Sequence, residues 1–232
     1  MIATKVGKAA GLEGLSAPTV RRAAEASLTR LGIEQIDLYY AHSDDPQTPL
    51  EETLGAFGDL ISEGKMRYAA ASNYSPERLE QALAVGRGAG MASFVALQPH
   101  YNLVERLEYE GPLADVAERH GLACIPYFAL ARGFLTGKYR RGGGEVDSPR
   151  AQGVRDAYMN GRGFAVLDAL EGIAAAHDAS PAAVSLAWLL AQPTVLAPIA
   201  SATSPAQMAE LVACAELELS TAELDALSAA GA

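Results

Sequence analysis

The feature that most constrains this chain is an alternation along its whole length. Short, nearly continuous apolar runs are separated by longer segments with helical spacing. The runs are Ile2–Val6, Ile36–Tyr40, Arg67–Ala71, Phe94–Leu97, Leu122–Pro126 and Val195–Ile199. A strand that shows no apolar/polar alternation is covered on both faces, which is the pattern of a parallel sheet. Between the runs, Thr19 to Leu31 places apolar residues at three- and four-residue intervals and stops at Gly32. Ser75-Pro76 and Ser180-Pro181 read as helix starts, a serine cap followed by proline in the first turn. Leu113–His120, Phe164–His177 and Pro181–Leu190 read as further helices. A βαβα repeat of this kind fits either an open doubly wound sheet or a (β/α)8 barrel. No GxGxxG follows an early strand, so the barrel is favoured. Roughly six strands are legible where a closed barrel needs eight. The expectation is therefore an α/β, TIM-barrel type fold, incomplete by about two strand–helix units, in one domain over residues 1–232.

With 50% hydrophobic residues, 232 residues suffice for one sizeable core. The net charge of −10 disfavours nucleic acid as a partner, although a helix N-terminus can still hold a cofactor phosphate. Cys124 and Cys214 lie in apolar contexts without a CxxC and are read as reduced thiols. The start MIATKVGKAAG lacks a signal-peptide core, and no apolar run reaches the ~18 residues of a membrane span. A soluble cytoplasmic protein with no membrane partner is expected.

In a parallel barrel, chemistry gathers where strands end. Lys5, His42, Ser72-Asn73, Gln98 followed by Tyr101, Tyr127, and Ser201 with Thr203 stand at those ends. Each has an ordinary structural reading, and it is their joint placement that points to a site. Ser204-Pro205-Ala206-Gln207 reads as a capping box opening a helix after the final run, the usual phosphate position of such barrels.

These segments together resemble the aldo-keto reductases, in order and over essentially the whole chain. The matching stretches are Ile2–Gly7, Asp37–His42, Gly64–Tyr68 leading to Ser72-Asn73, Gln98–Leu103, and Gly133–Tyr139. The resemblance implies reduction of a small-molecule aldehyde or ketone by hydride from NADP(H), with NAD(H) as the other candidate. It implies that Lys5 and His42 are catalytic. Ser72, Asn73 and Gln98 would hold the nicotinamide carboxamide, and Tyr127 would stack on the ring. Leu135, Gly137 and Lys138 would line the pyrophosphate, and Ser201, Thr203 and Gln207 the adenosine phosphate.

The chain departs from the family pattern in several places. The family's proton-donor tyrosine and its partner aspartate precede the lysine strand, where this sequence has no counterpart. Thr203 and Leu211 stand where many relatives have arginine and asparagine, and Phe128-Ala129 where many have Ser-Pro. The expectation is weak turnover by this polypeptide and self-association through exposed sheet edges. A non-catalytic nicotinamide-binding module is the alternative. A barrel metal-dependent hydrolase is the more remote one, because only His42 is well placed as a ligand and no HxH occurs. The segment from Arg140 to Arg162, rich in glycine and charge, is a candidate flap.

Overall fold

A computed structural model describes residues 1–144 and 146–232; Glu145, inside the candidate flap, lies outside the described residues. They fall into two compact units. The first comprises Met1–Pro99 and Pro112–Cys124; the second comprises His100–Gly111 and Ile125–Ala232.

The first unit is the sheet layer. In chain order it holds β1 (Ala3–Val6), β2 (Lys8–Ala9), β3 (Leu12–Glu13), α1 (Ala17–Leu31), β4 (Ile36–Ala41), α2 (Leu50–Ser62), β5 (Met66–Ser72), α3 (Pro76–Val85), β6 (Phe94–Gln98), α4 (Pro112–Arg119) and β7 (Ala123–Cys124). The order β1-β4-β5-β6-β7 makes one parallel sheet. One face packs on helices: Tyr39, Phe57 and Phe94 form an edge-on aromatic chain with centroids 5.6 and 6.5 Å apart. Phe57 is fully buried, and truncation of such a ring costs roughly 3–5 kcal/mol. Helix α1 ends on Gly32 in the left-handed region at φ 64°, as the sequence led us to expect.

Helix α2 has no counterpart in the sequence reading. Gly55 and Gly58 dilute its apolar pattern and lower its intrinsic propensity. Gly58 is needed because a methyl there would run into the carbonyl of Gly90. Burial of Leu50, Leu54, Phe57 and Leu60 overrides the glycine penalty. The β2–β3 hairpin was also unforeseen. It turns on Gly11 at φ 75° and is only two residues per strand.

The second unit is helical. It contains a 3-10 turn (Ala131–Thr136), α5 (Ala151–Tyr158), α6 (Gly161–Ala176), α7 (Pro181–Leu190), α8 (Pro205–Val212) and α9 (Thr221–Ala230), with a short 3-10 turn at Ala213–Ala215. The run Val195–Ile199 is not a strand, which corrects the sequence reading. Pro198 has no N–H to give to a ladder, and Ile199 N–H donates to Pro126 O at 2.9 Å. The run ending at Pro126 shortens to β7 for the same reason. The candidate flap is in part regular, since α5 occupies it. No single helix among the described residues is long and apolar enough to cross a membrane. The pair α6 and α7 passes that test only jointly, with a 98° bend between them, and α7 is buried along nearly all its length.

Helix α9 is fastened by polar contacts at both ends. Ser228 accepts from Trp188 Nε1 at 3.0 Å, and its carbonyl accepts from Arg106. At the start, Ser220 and Glu223 form a reciprocal capping box, and His177 meets Glu223 at 2.7 Å. The Ser220 N–H, then its hydroxyl, then His177 hold the Glu223 carboxyl at about 2, from an ordinary 4.5. A depressed carboxylate stabilises the fold above its unfolded value and loses that contribution as pH falls through the folded one. Urea midpoints of the wild type and Glu223→Gln should therefore differ fully above pH 4.5 and converge as pH falls toward about 2.

Candidate active site

Parallel pairing brings β1, β4, β5 and β6 to a common C-terminal rim, and the expected residues of the first unit stand there. Lys5 lies in register with Tyr40, and its ammonium sits 5.3 Å from the centre of the Tyr40 ring. Tyr40 is 1% exposed. Burial pushes its phenol up, and a hydrogen bond with the Gln98 side chain partly opposes this. His42 directly follows β4, and its N–H donates to Val6 O at 2.9 Å.

The side chains of Ser72 and Asn73 tie the neighbouring strand ends together. Asn73 Nδ2 donates to His42 O at 2.8 Å and to Ser72 Oγ at 3.0 Å. The Ser72 hydroxyl donates in turn to Gln98 O at 2.8 Å. The ends of β4, β5 and β6 are thus joined by side-chain bonds, at the last register pair of β5 and β6 and beyond the last pair of β4 and β5. Asn73 makes its bonds from φ 55°, a region that L residues other than asparagine and aspartate rarely enter.

Electrostatics at this rim follow from partial burial among cations. Desolvation lowers the Lys5 pKa. Desolvation, then Lys8, then Lys5 lower that of His42. A neutral imidazole at neutral pH can donate one hydrogen bond without giving up its proton. Among the described residues no group of three or more His, Cys, Asp or Glu is placed to hold a metal ion.

The remaining expected residues belong to the second unit. Tyr127 is half-buried and lies nearly parallel to His100, with ring centroids 5.2 Å apart and planes at 16°. Phe128, Ala131 and Arg132 follow at φ 52°, 47° and 58°, then Gly133 at 95° and Gly137 at 80°. Leu135 is fully buried and its N–H donates to Leu130 O at 3.3 Å. Lys138 is exposed, with its ammonium 5.5 Å from the Tyr139 ring centre.

Ser201, Thr203 and Gln207 are exposed around the start of α8. Ser204 caps that helix by accepting from Gln207 N–H at 3.2 Å. The expected reciprocal bond is displaced by one residue. Gln207 Oε1 accepts from Thr203 N and Oγ1 at 2.8 and 3.0 Å, not from Ser204. The box is therefore half formed, and Thr203 and Gln207 bond each other.

Two residues at these positions escaped the sequence reading. Tyr40 could have been found, because it stands two positions before His42 and a strand places such residues on one face. Asn102 follows Tyr101 within a matched stretch, but nothing in the sequence distinguishes it from a loop residue.

A parallel sheet with Lys5, His42, Ser72-Asn73 and Gln98 at one rim defines a class, and comparison with known proteins identifies it. The model of the aldo/keto reductase family matches residues 1–232, and the chain belongs to that family. It is 33% identical over 211 residues to an L-glyceraldehyde 3-phosphate reductase of Escherichia coli (strain K12), covering 86% of this chain and 59% of that protein. It is 32% identical to probable aldo-keto reductase 1 of Glycine max, covering 96% and 64%. A putative voltage-gated potassium channel subunit beta of Schizosaccharomyces pombe is 32% identical, with 93% and 66% covered. A solved thermostable aldo-keto reductase, Tm1743, in complex with the inhibitor epalrestat, superposes with a TM-score of 0.78 at 27% identity, covering 99% of this chain and 71% of that one. The fold is accordingly of (β/α)-barrel type, with five parallel strands among the described residues. The chain spans 59% of the length of the Escherichia coli relative and 64% of the Glycine max one.

Two outcomes follow from the rim. Asn73→Gly should lose the ties but keep the backbone, whereas Asn73→Ala should cost roughly 1 kcal/mol more in chemical denaturation, because alanine resists positive φ. In histidine-resolved NMR titration His42 should titrate below 6.5, and Lys8→Met should raise its midpoint more than Lys5→Met.

Proposed function

We propose that this chain carries the nicotinamide- and substrate-binding rim of a carbonyl reductase that converts an aldehyde or ketone to an alcohol. The observation that carries the reading is the gathering of Lys5, His42, Ser72-Asn73 and Gln98 at one rim of the parallel sheet. The reductase names of relatives support it.

The donor set suits a primary carboxamide, which needs both a donor and an acceptor opposite it. Gln98 and Asn73 carry amides, and Ser72 Oγ keeps one lone pair after its two bonds. On the family resemblance, Tyr127 offers a ring face to the nicotinamide. The main chain around Leu135 and Gly137, with Lys138, serves the pyrophosphate, and Ser201, Thr203 and Gln207 serve the adenosine phosphate. NADP(H) is the proposed cofactor and NAD(H) the second candidate. When bound, it supplies the hydride. His42, held neutral, donates a hydrogen bond to the substrate carbonyl and orients it. Lys5 adds positive potential beside the developing alkoxide.

Protonation of that alkoxide is the weak step for these 232 residues. No tyrosine here matches the family's proton donor. Tyr40 neighbours Lys5, but burial raises its phenol pKa and outweighs the opposing hydrogen bond with Gln98, so it is a poor acid. Self-association along β1 belongs to the same proposal, since β1 is an edge of the sheet.

A second reading, a nicotinamide-binding subunit without turnover, is favoured by the channel-subunit name of the Schizosaccharomyces pombe relative. Titration with NADPH, followed by cofactor fluorescence with aldehyde turnover read in the same samples, tests both. Binding is expected, weakened about 2–13-fold by Gln98→Ala, the loss of one hydrogen bond. Turnover should fall about 10²–10⁴-fold short of that of a reductase with a positioned acid. Residual turnover abolished by His42→Ala favours the first reading, and none at all favours the second. A folded chain that binds neither cofactor would overturn both.

A further inference from the structure

Asn102 is fully buried in the second unit, and its amide is engaged at both ends. Oδ1 accepts from the N–H groups of Val104 at 2.9 Å and Glu105 at 3.0 Å. Nδ2 donates to the carbonyl of Phe128 at 3.0 Å, 26 residues along the chain. The amide cannot be turned over, because a flip would set its N–H groups against two donors and its oxygen against a carbonyl.

The accepting residue is the unusual one. Phe128 sits at φ 52°, where a bulky L residue stays only if its surroundings impose it. Its carbonyl receives two bonds, from Asn102 and from the Ala131 N–H at 2.7 Å. Tyr127 immediately precedes it. The Tyr127 ring is bracketed by His100, near-parallel at 5.2 Å, and by Phe128, edge-on at 5.1 Å. The Phe128 ring is thus one of two rings between which the Tyr127 ring lies.

We infer that Asn102 is a positioning residue: by fixing the Phe128 carbonyl it holds the Tyr127 ring in the plane on which a nicotinamide stacks. The inference rests on the proposed role of Tyr127 and requires no contact between Asn102 and cofactor. Its side chain points into the turn of its own segment and into the following strained one, and so couples the two.

The test is a double-mutant cycle on NADPH affinity in the full chain. Asn102→Asp keeps an acceptor for Val104 and Glu105 but removes the donor to Phe128. Asn102→Ser keeps an acceptor on a hydroxyl one bond shorter, without a buried charge, and replaces it in the cycle if the aspartate variant fails to fold by circular dichroism. Tyr127→Ala should raise the Kd about fivefold, the order expected for a lost aromatic stack. The Asn102 variant should raise it about threefold with Tyr127 present and leave it unchanged in the Tyr127→Ala background. Equal weakening in both backgrounds would mean a general structural role and overturn the inference. If Tyr127→Ala alone leaves the Kd unchanged, the stacking role itself is wrong, and the inference falls with it.

Discussion

The rim of this sheet depends on one hydroxyl and one amide. A parallel ladder fixes strands relative to one another along their length, but its last bonds stop short of the residues that follow. In this chain those residues are the ones with chemistry to offer. Asn73 carries the connection of β5 with β4 one step further, to His42, and Ser72 reinforces the last pair of β5 and β6 at Gln98. Both groups bond to backbone carbonyls of the neighbouring strand ends, so they place those strand ends without occupying the His42 imidazole or the Gln98 amide, which meets Tyr40.

Burial does different work on each titratable group at the rim. It weakens the charged forms of Lys5 and His42 and strengthens the neutral phenol of Tyr40. In all three the uncharged form gains: the lysine and histidine pKa values fall and that of the tyrosine rises. One apolar setting thus makes the imidazole a neutral donor and withdraws the nearest phenol from acid chemistry. In the second unit the corresponding organising device is conformational. Five residues between Phe128 and Gly137 take positive φ, and the first of them is held by the bond from Asn102.

The strands β1, β4, β5 and β6 were legible because each is a run of apolar residues long enough to be covered on both faces. Helices α1, α3, α7 and α8 were legible through their prolines, serine caps or glycine stops. Helix α2 was not, because Gly55 and Gly58 hide a helix whose stability comes from Leu54, Phe57 and Leu60 packing. Val195–Ile199 reads as a strand by composition alone, and the proline within it defeats the ladder. Lys5, His42, Ser72, Asn73 and Gln98 could be gathered at one rim from their positions at strand ends. The pairing of Gln207 with Thr203, the stack of Tyr127 on His100 and the reach of Asn102 to Phe128 could not, since each depends on rotamers or on contacts between distant segments.

Asn73 gives the rim a lifetime as well as a shape. It is an exposed primary amide, and loss of ammonia from it would need no mutation. The product, an aspartate, turns a double donor into an acceptor facing the His42 carbonyl and the Ser72 oxygen, both of which also accept. Attraction between three strand ends would become repulsion between two of them. An aged sample would then lose the tie between the ends of β4 and β5 while the Ser72 bond to Gln98 and the sheet beneath stayed as they were.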